Sequence, residues 1–266
     1  MMKIYLCTRT GVGKAGSDDR VLVGKAVYND CEEFVTVDSG SVAVADGVGG
    51  NQAGDIAAML ACTELARMEK PTASAFQEVN ARLLELSQSS DRLKGMGTTL
   101  SGIWLGKETM PPKAVQGESS SEVEREGRLS CLVHVGNTRI YAIHAGNYLR
   151  QLTTDDTVVE YLLRSGKLSE EEALSYAGRN EITACLGGGR PELNKLRVES
   201  LPEGEERLLL TSDGVHEILS LDEMEDIIAK ESDNLLEAVK LLVKNAQENG
   251  SNDDCTAVII EISAKA

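Results

Sequence analysis

Apolar positions along this chain follow two rhythms. Short runs, alternating or unbroken and ending in small residues, predict strands near 3–8, 20–28, 41–46, 98–105, 129–136, 138–144, 147–152, 207–212 and 255–262. Helical spacing fills the gaps between groups of strands. Asn51 reads as the cap of a helix running to about 69, and Thr72 as the cap of another in which Phe76, Val79, Leu83 and Leu86 recur. A last helix over 234–249 puts Leu235, Ala238, Val239, Leu242, Val243 and Ala246 on one stripe, with Gly250 as its C-terminal stop. Strands joined by antiparallel-style turns and flanked by helix pairs predict an α+β layered class.

Two segments depart from these rhythms. Residues 107–128 are polar and carry prolines, which predicts a long exposed loop. Residues 156–186 open with a short helix containing Val158, Val159, Leu162 and Leu163, stopped at Gly166 and followed by a capping box from Ser169 to Glu172. No Pro/Ser-rich linker divides the 266 residues, so one domain, 1–266, is expected.

Candidate chemistry gathers at strand ends. Asp46 closes SVAVADGVGG, Asp213 closes RLLLTSDGVHEIL, and Asp253 enters the strand CTAVII. Asp-Gly is a common turn dipeptide and needs no metal to explain it. Three such carboxylates at the rim of stacked sheets, with no His or Cys beside them, nevertheless form an oxygen ligand set of the kind that Mg²⁺ or Mn²⁺ selects. The glycines around Asp46 (Gly47, Gly49, Gly50 and Gly54) suit a close approach of backbone to an ion or phosphate, and Gly95, Gly97, Thr98 and Thr99 form a second small-residue turn. Gly11-Val12-Gly13-Lys14-Ala15-Gly16 is a literal GxGxxG after an apolar strand. The following SDDRVLVGKAVYND lacks the helical stripe that a dinucleotide fingerprint requires, so a nucleotide site is not expected.

Taken in order, the motifs resemble those of the metal-dependent serine/threonine protein phosphatases of type 2C, the PPM family, in their compact bacterial form. VAVADGVGG resembles the first acidic motif, GMGTTLSGIWL the Gly-Thr-Thr strand and HVGNTRIYAI the Gly-Asp-Ser-Arg strand. LTTDDTVVEYLLRSGKLSEEEA is similar to the Thr-x-Asp-His-Ser segment and the flap after it, here about 156–186. AGRNEITACLGGG, LLLTSDGVHEIL and GSNDDCT resemble the remaining three motifs. The resemblance implies a four-layer α-β-β-α sandwich with two central antiparallel sheets between helix pairs. It implies hydrolysis of phosphoserine and phosphothreonine in proteins by a hydroxide bridging two Mn²⁺ or Mg²⁺ ions. Carried over by position, Asp46 is the bridging ligand with the Gly47 carbonyl, Asp213 and Asp253 complete the first metal's shell, and Asp18 and Asp19 support the second. Lys14 takes the place of the phosphate-clamping arginine.

Four departures modify that expectation. Lys14 keeps a positive charge but lacks the planar fork of arginine. Asn137 stands where the family has a third-metal aspartate, which puts a third ion in doubt. Val48 replaces a histidine found in eukaryotic members. Asp156 and Asp254 replace a histidine and an asparagine, so Asp253 and Asp254 compete for one ligand role, with register favouring Asp253. The alternatives are a catalytically weakened module of the same fold that binds a phosphoprotein or another partner, and a hydrolase for a small phosphometabolite.

Composition narrows the setting. The 43 acidic against 27 basic residues give a net charge of −16, which would repel a phosphorylated substrate unless metals intervene, and no nucleic-acid partner is expected. Aromatic content is only 3%, so packing must rest on Val, Leu, Ile and Ala. The six cysteines show no CxxC spacing and are expected to be reduced and buried, and the histidines show no HxxxH pair. No segment approaches the length of a membrane span. The expected setting is a cytoplasmic monomer acting on phosphorylated proteins made by a serine/threonine kinase.

Overall fold

A computed structural model describes residues 1–48, 53–110, 125–190 and 194–263. One six-stranded sheet has the order Leu149–Gln151, Arg139–Ile143, Arg207–Thr211, Cys255–Ile262, Met2–Arg9, Glu32–Val37. A second has the order Arg197–Ser200, Arg125–Val135, Leu100–Met110, Gly40–Ala45, Arg20–Val23, Ala26–Tyr28. Every pairing in both is antiparallel. A small third sheet joins Leu186–Gly187, Gly97–Thr98 and Gly47–Val48.

The apolar runs are explained by burial on both faces. In Arg207–Thr211, Leu208 and Leu210 enter the core between the sheets, whereas Leu209 enters a second core under the helices Leu221–Lys230 and Leu235–Glu248. Val258 and Ile260 divide from Ala257 and Ile259 in the same way. In the other sheet Val42 and Val44 face the central core, while Ala43 and Ala45 lie under the helices Gly54–Arg67 and Ala73–Ser89. A strand has a side-chain period of two, so a strand covered on both sides reads as a continuous apolar stretch. Three stacked cores give the α-β-β-α order that the resemblance implies.

Local differences from the sequence reading have local causes. The expected strand 20–28 is a hairpin, Arg20–Val23 with Ala26–Tyr28, broken where Gly24 takes φ +62. Glu32–Val37 and Arg197–Ser200 were not expected as strands. Both lie at sheet edges and mix polar residues with few buried ones. The helix 221–230 was also missed, although Ser220 and Glu223 form a complete capping box at its start. The expected loop 107–128 is strand at both ends, with pairing from Lys107↔Arg128 out to Met110↔Arg125, and 111–124 lies outside the described residues. Thr72 caps its helix through Ala75 N–H as expected. The first helix starts at Gly54 after Ala53, and the expected cap Asn51 lies outside the described residues. Among the described residues no helix is long and apolar enough to cross a membrane.

Candidate metal centre

The carboxylates meet because their strands end together. Arg20 pairs with Ala45, which places Asp19 and Asp46 side by side just beyond the paired ends of two strands of one sheet. Thr211 pairs with Ala257 in the other sheet, bringing the turn at Asp213 beside the loop that holds Asp253 and Asp254. Asp46 is fixed by its backbone: its N–H donates to Thr99 Oγ1 at 3.1 Å, and its carbonyl accepts from Thr99 N–H at 2.9 Å. The Gly-Thr-Thr segment is therefore a clamp on the Asp46 main chain, a role its sequence did not disclose.

The two Asp-Gly pairs do not need left-handed backbone, contrary to the turn expected from sequence. Gly47 is glycine because a Cβ there would sit 2.3 Å from the carbonyl carbon of Gly54, and Gly214 because a Cβ would sit 2.1 Å from the Asp254 oxygen. Asp213 opens a one-turn helix, Asp213–His216. Close packing, then, holds the Asp46 strand against the first helix and the Asp213 turn against the Asp254 loop.

Asp19 is fully buried. Its Oδ2 accepts from Ser212 Oγ at 2.7 Å and Thr256 Oγ1 at 2.6 Å, and its Oδ1 has no partner. Asp213 Oδ2 accepts from Asn137 Nδ2 at 2.9 Å, and its Oδ1 is likewise buried without a partner. Burial, then the charges of neighbouring carboxylates, push these groups up. Asp213 is raised to about 6, chiefly by burial and by Asp253, with Asn137 opposing. Asp46 is raised well above the usual carboxylate range by burial and by Asp213, Asp19 and Asp253. Burial does the same to Asp19, against the hydroxyls of Thr256 and Ser212.

Asp253 and Asp254 are told apart by their surroundings. Asp254 is 2% exposed, its Oδ1 accepting from Gly11 N–H at 2.7 Å and its Oδ2 from Asp18 N–H at 2.7 Å. Asp253 is exposed and lines a cleft of about 390 Å³ with Lys14, Arg179, Asn180, Asp213 and Glu217. Lys14 Nζ contacts Asp253 Oδ1 and lies 3.1 Å from Asp254 Oδ2. Asp18 accepts from Asp55 N–H at 3.0 Å in the first turn of the helix Gly54–Arg67. Asp156 has partners of its own, Gly136 N–H at 2.9 Å and the Arg197 fork at 2.9 and 3.0 Å, and so ties the base of the flap to a strand. Its neighbour Asp155 is clasped by Arg139 through Nε and Nη2. A second cleft of about 440 Å³ lies over His134, Asp156 and Arg197 and shares no lining residue with the first.

These residues fit a hard divalent cation. Orphaned buried oxygens on Asp19 and Asp213 are acceptors without donors, and the mutual repulsion that raises the carboxylates is what a cation relieves. Among the described residues no three His, Cys, Asp or Glu side chains form a ready-made ligand group; Asp253 contacts Lys14, and Asp213 Oδ2 accepts from Asn137.

Comparison with known proteins decides the family. No protein-family model matches the chain. It is 31% identical over 271 residues to a putative protein phosphatase 2C-type protein of Streptococcus pyogenes, covering 97% of each chain. The chain belongs to the type 2C protein phosphatases. A serine/threonine phosphatase stp of Listeria welshimeri is 32% identical over 234 residues, 83% of each chain. Among solved structures, the catalytic domain of the phosphatase PstP in complex with two manganese ions superposes with a TM-score of 0.71 at 25% identity, over 99% of this chain and 100% of that one. Type 2C phosphatases are metal-dependent.

Proposed function

We propose that this chain hydrolyses phosphoserine and phosphothreonine in proteins, using two Mn²⁺ or Mg²⁺ ions held by Asp46, the Gly47 carbonyl, Asp213 and Asp253, with Asp19 and Asp18 behind them. The observation that carries this reading is the convergence of Asp19, Asp46 and Asp213 from separate strands, two of them with a buried oxygen lacking any donor. Bound there, divalent ions supply a lowered pKa for water and positive charge for the phosphoryl oxygens. The chain's own residues do the rest. Thr99 fixes the Asp46 main chain, and Asn137 turns Asp213 by donating to one oxygen and leaving the other free. Lys14 and Arg179 line the cleft and attract an anion to a molecule of net charge −16. Asn137 is neutral and already committed to Asp213, which favours two ions over three. The proposed substrates are products of a serine/threonine kinase, met by a monomer in the cytoplasm.

The test is hydrolysis of p-nitrophenyl phosphate and a phosphothreonine peptide with Mn²⁺, Mg²⁺ or EDTA, for the wild type and Asp213→Asn. Metal-dependent turnover of the peptide that the substitution removes is expected. Binding of the peptide without turnover at saturating metal would contradict the proposal and favour a phosphoprotein-binding module. Turnover of small monoesters alone would favour a phosphometabolite hydrolase.

A further inference from the structure

Lys14 occupies an unusual place for a residue expected to meet substrate. Its ammonium rests on Asp253, one of the proposed ligands, and on Asp254, which is not one. Burial works to lower its pKa, but the hydrogen bonds and charges of the two aspartates outweigh that and raise it, so it is a permanent cation. Lys14 also lessens the upward push on Asp46 and on Asp18. It is thus the positive charge that several carboxylates at this end of the sandwich feel in common.

The two contacts are not equivalent. Asp254 is buried and keeps Gly11 N–H and Asp18 N–H as donors whether or not the ammonium moves. Asp253 is exposed, and its Oδ1 keeps only Asp254 N–H at 2.8 Å, a donor supplied by the next residue. The lysine backbone is held in a tight turn, with Lys14 N–H donating to Gly11 O at 3.1 Å and Gly13 at φ +83, so its freedom lies in the side chain. A partly exposed ion pair of this kind is held weakly and exchanges readily.

We infer that Lys14 is a tethered counter-ion that competes with the divalent metal for Asp253 and, when displaced from it, keeps its contact with Asp254 while its ammonium is freed toward the cleft. This rests on the metal reading of Asp46, Asp213 and Asp253. Two consequences follow. The lysine weakens metal binding because a divalent ion must first displace it from Asp253. Metal binding in turn strengthens phosphate binding, because it releases a cation, and by linkage phosphate strengthens metal binding to the same extent.

The experiment uses the full chain, freed of metal and titrated with diamagnetic Mg²⁺, for the wild type, Lys14→Met and Asp213→Asn. Calorimetry reads affinity, and nitrogen-15 spectra of the wild type read the Lys14 ammonium. Removing one unit charge beside a divalent site is expected to tighten Mg²⁺ binding by about tenfold in Lys14→Met, and the coupling between inorganic phosphate and Mg²⁺ should be weaker in that variant than in the wild type. In the wild type, the Lys14 ammonium signal should shift as Mg²⁺ saturates. If Mg²⁺ binds the wild type and Asp213→Asn abolishes it, yet the Lys14 signal stays put or Lys14→Met binds no tighter, the counter-ion inference is overturned while the metal reading stands. If the wild type shows no Mg²⁺ binding at all, the metal reading itself fails and takes the inference with it.

Discussion

Asp253 and Asp254 are adjacent and chemically identical, yet one is exposed and the other buried with two backbone donors. Asp254 joins the loop 11–18 to the loop 252–254 through two backbone N–H donors, so Asp254→Ala should cost about 2–4 kcal/mol of stability by leaving buried donors unpaired. Asp253→Ala should leave the urea midpoint of the metal-free protein nearly unchanged and remove metal-dependent turnover. Urea unfolding and phosphate release measured on both variants check the pair. A second prediction follows from pH. The ordinary carboxylate value is 3.8 and that of Asp213 in the fold is about 6, so between those values the folded chain binds more protons than the unfolded one. Stability of the metal-free protein therefore falls as pH rises through that window, and Asp46 and Asp19, raised for the same reason, add to the slope. Melting of the EDTA-treated protein should occur higher at pH 5 than at pH 7, by on the order of 5 °C, and saturating Mn²⁺ should reverse the order, because metal needs the ionised ligands. At this scale the carboxylates were legible in the sequence because each ends an apolar strand. Thr99 on Asp46, Ser212 and Thr256 on Asp19, and Arg197 on Asp156 were not, since each partner lies far away in sequence and no periodicity marks it.

Strand ends and helix starts are held in contact at the site by glycine. Gly47 and Gly54 pack backbone against backbone, so that a Cβ on Gly54 would lie 2.6 Å from the Gly47 oxygen. Gly54→Ala should part the helix Gly54–Arg67 from the Asp46 segment, with a loss of about 2–3 kcal/mol and of metal affinity together. Calorimetric melting and Mn²⁺ titration of that variant read both. Helix Leu235–Glu248 was legible almost to the residue, because its stripe is long and Asn234 caps it through Glu237 N–H. Edge strand Glu32–Val37 was not, because only its register against Met2–Arg9, with Tyr5 opposite Phe34, makes a strand of EEFVTV. Pairing beyond residue 105 was hidden likewise: polar residues extend the strand Leu100–Met110 because Arg125–Val135 lies beside it.

Among the described residues, two six-stranded sheets and two helix pairs enclose three apolar cores, and Asp19, Asp46, Asp213 and Asp253 are gathered where strands of both sheets end. The layered class followed from the spacing of strands and helices, whereas the four-layer order came from family resemblance, since periodicity does not say which strands share a sheet. A chain of net charge −16 gains from any cation bound only when folded. Mn²⁺ at a hundredfold excess over its dissociation constant should add about 2.7 kcal/mol of stability, and fluorescence-monitored unfolding with and without EDTA checks it. Asp213→Asn should erase the difference. The most direct measurement of the central claim is an anomalous diffraction map from crystals grown with Mn²⁺. Two peaks bracketed by Asp46, the Gly47 carbonyl, Asp213 and Asp253 are the predicted result; ordered manganese found elsewhere, or none at these carboxylates at saturating concentration, would contradict the account.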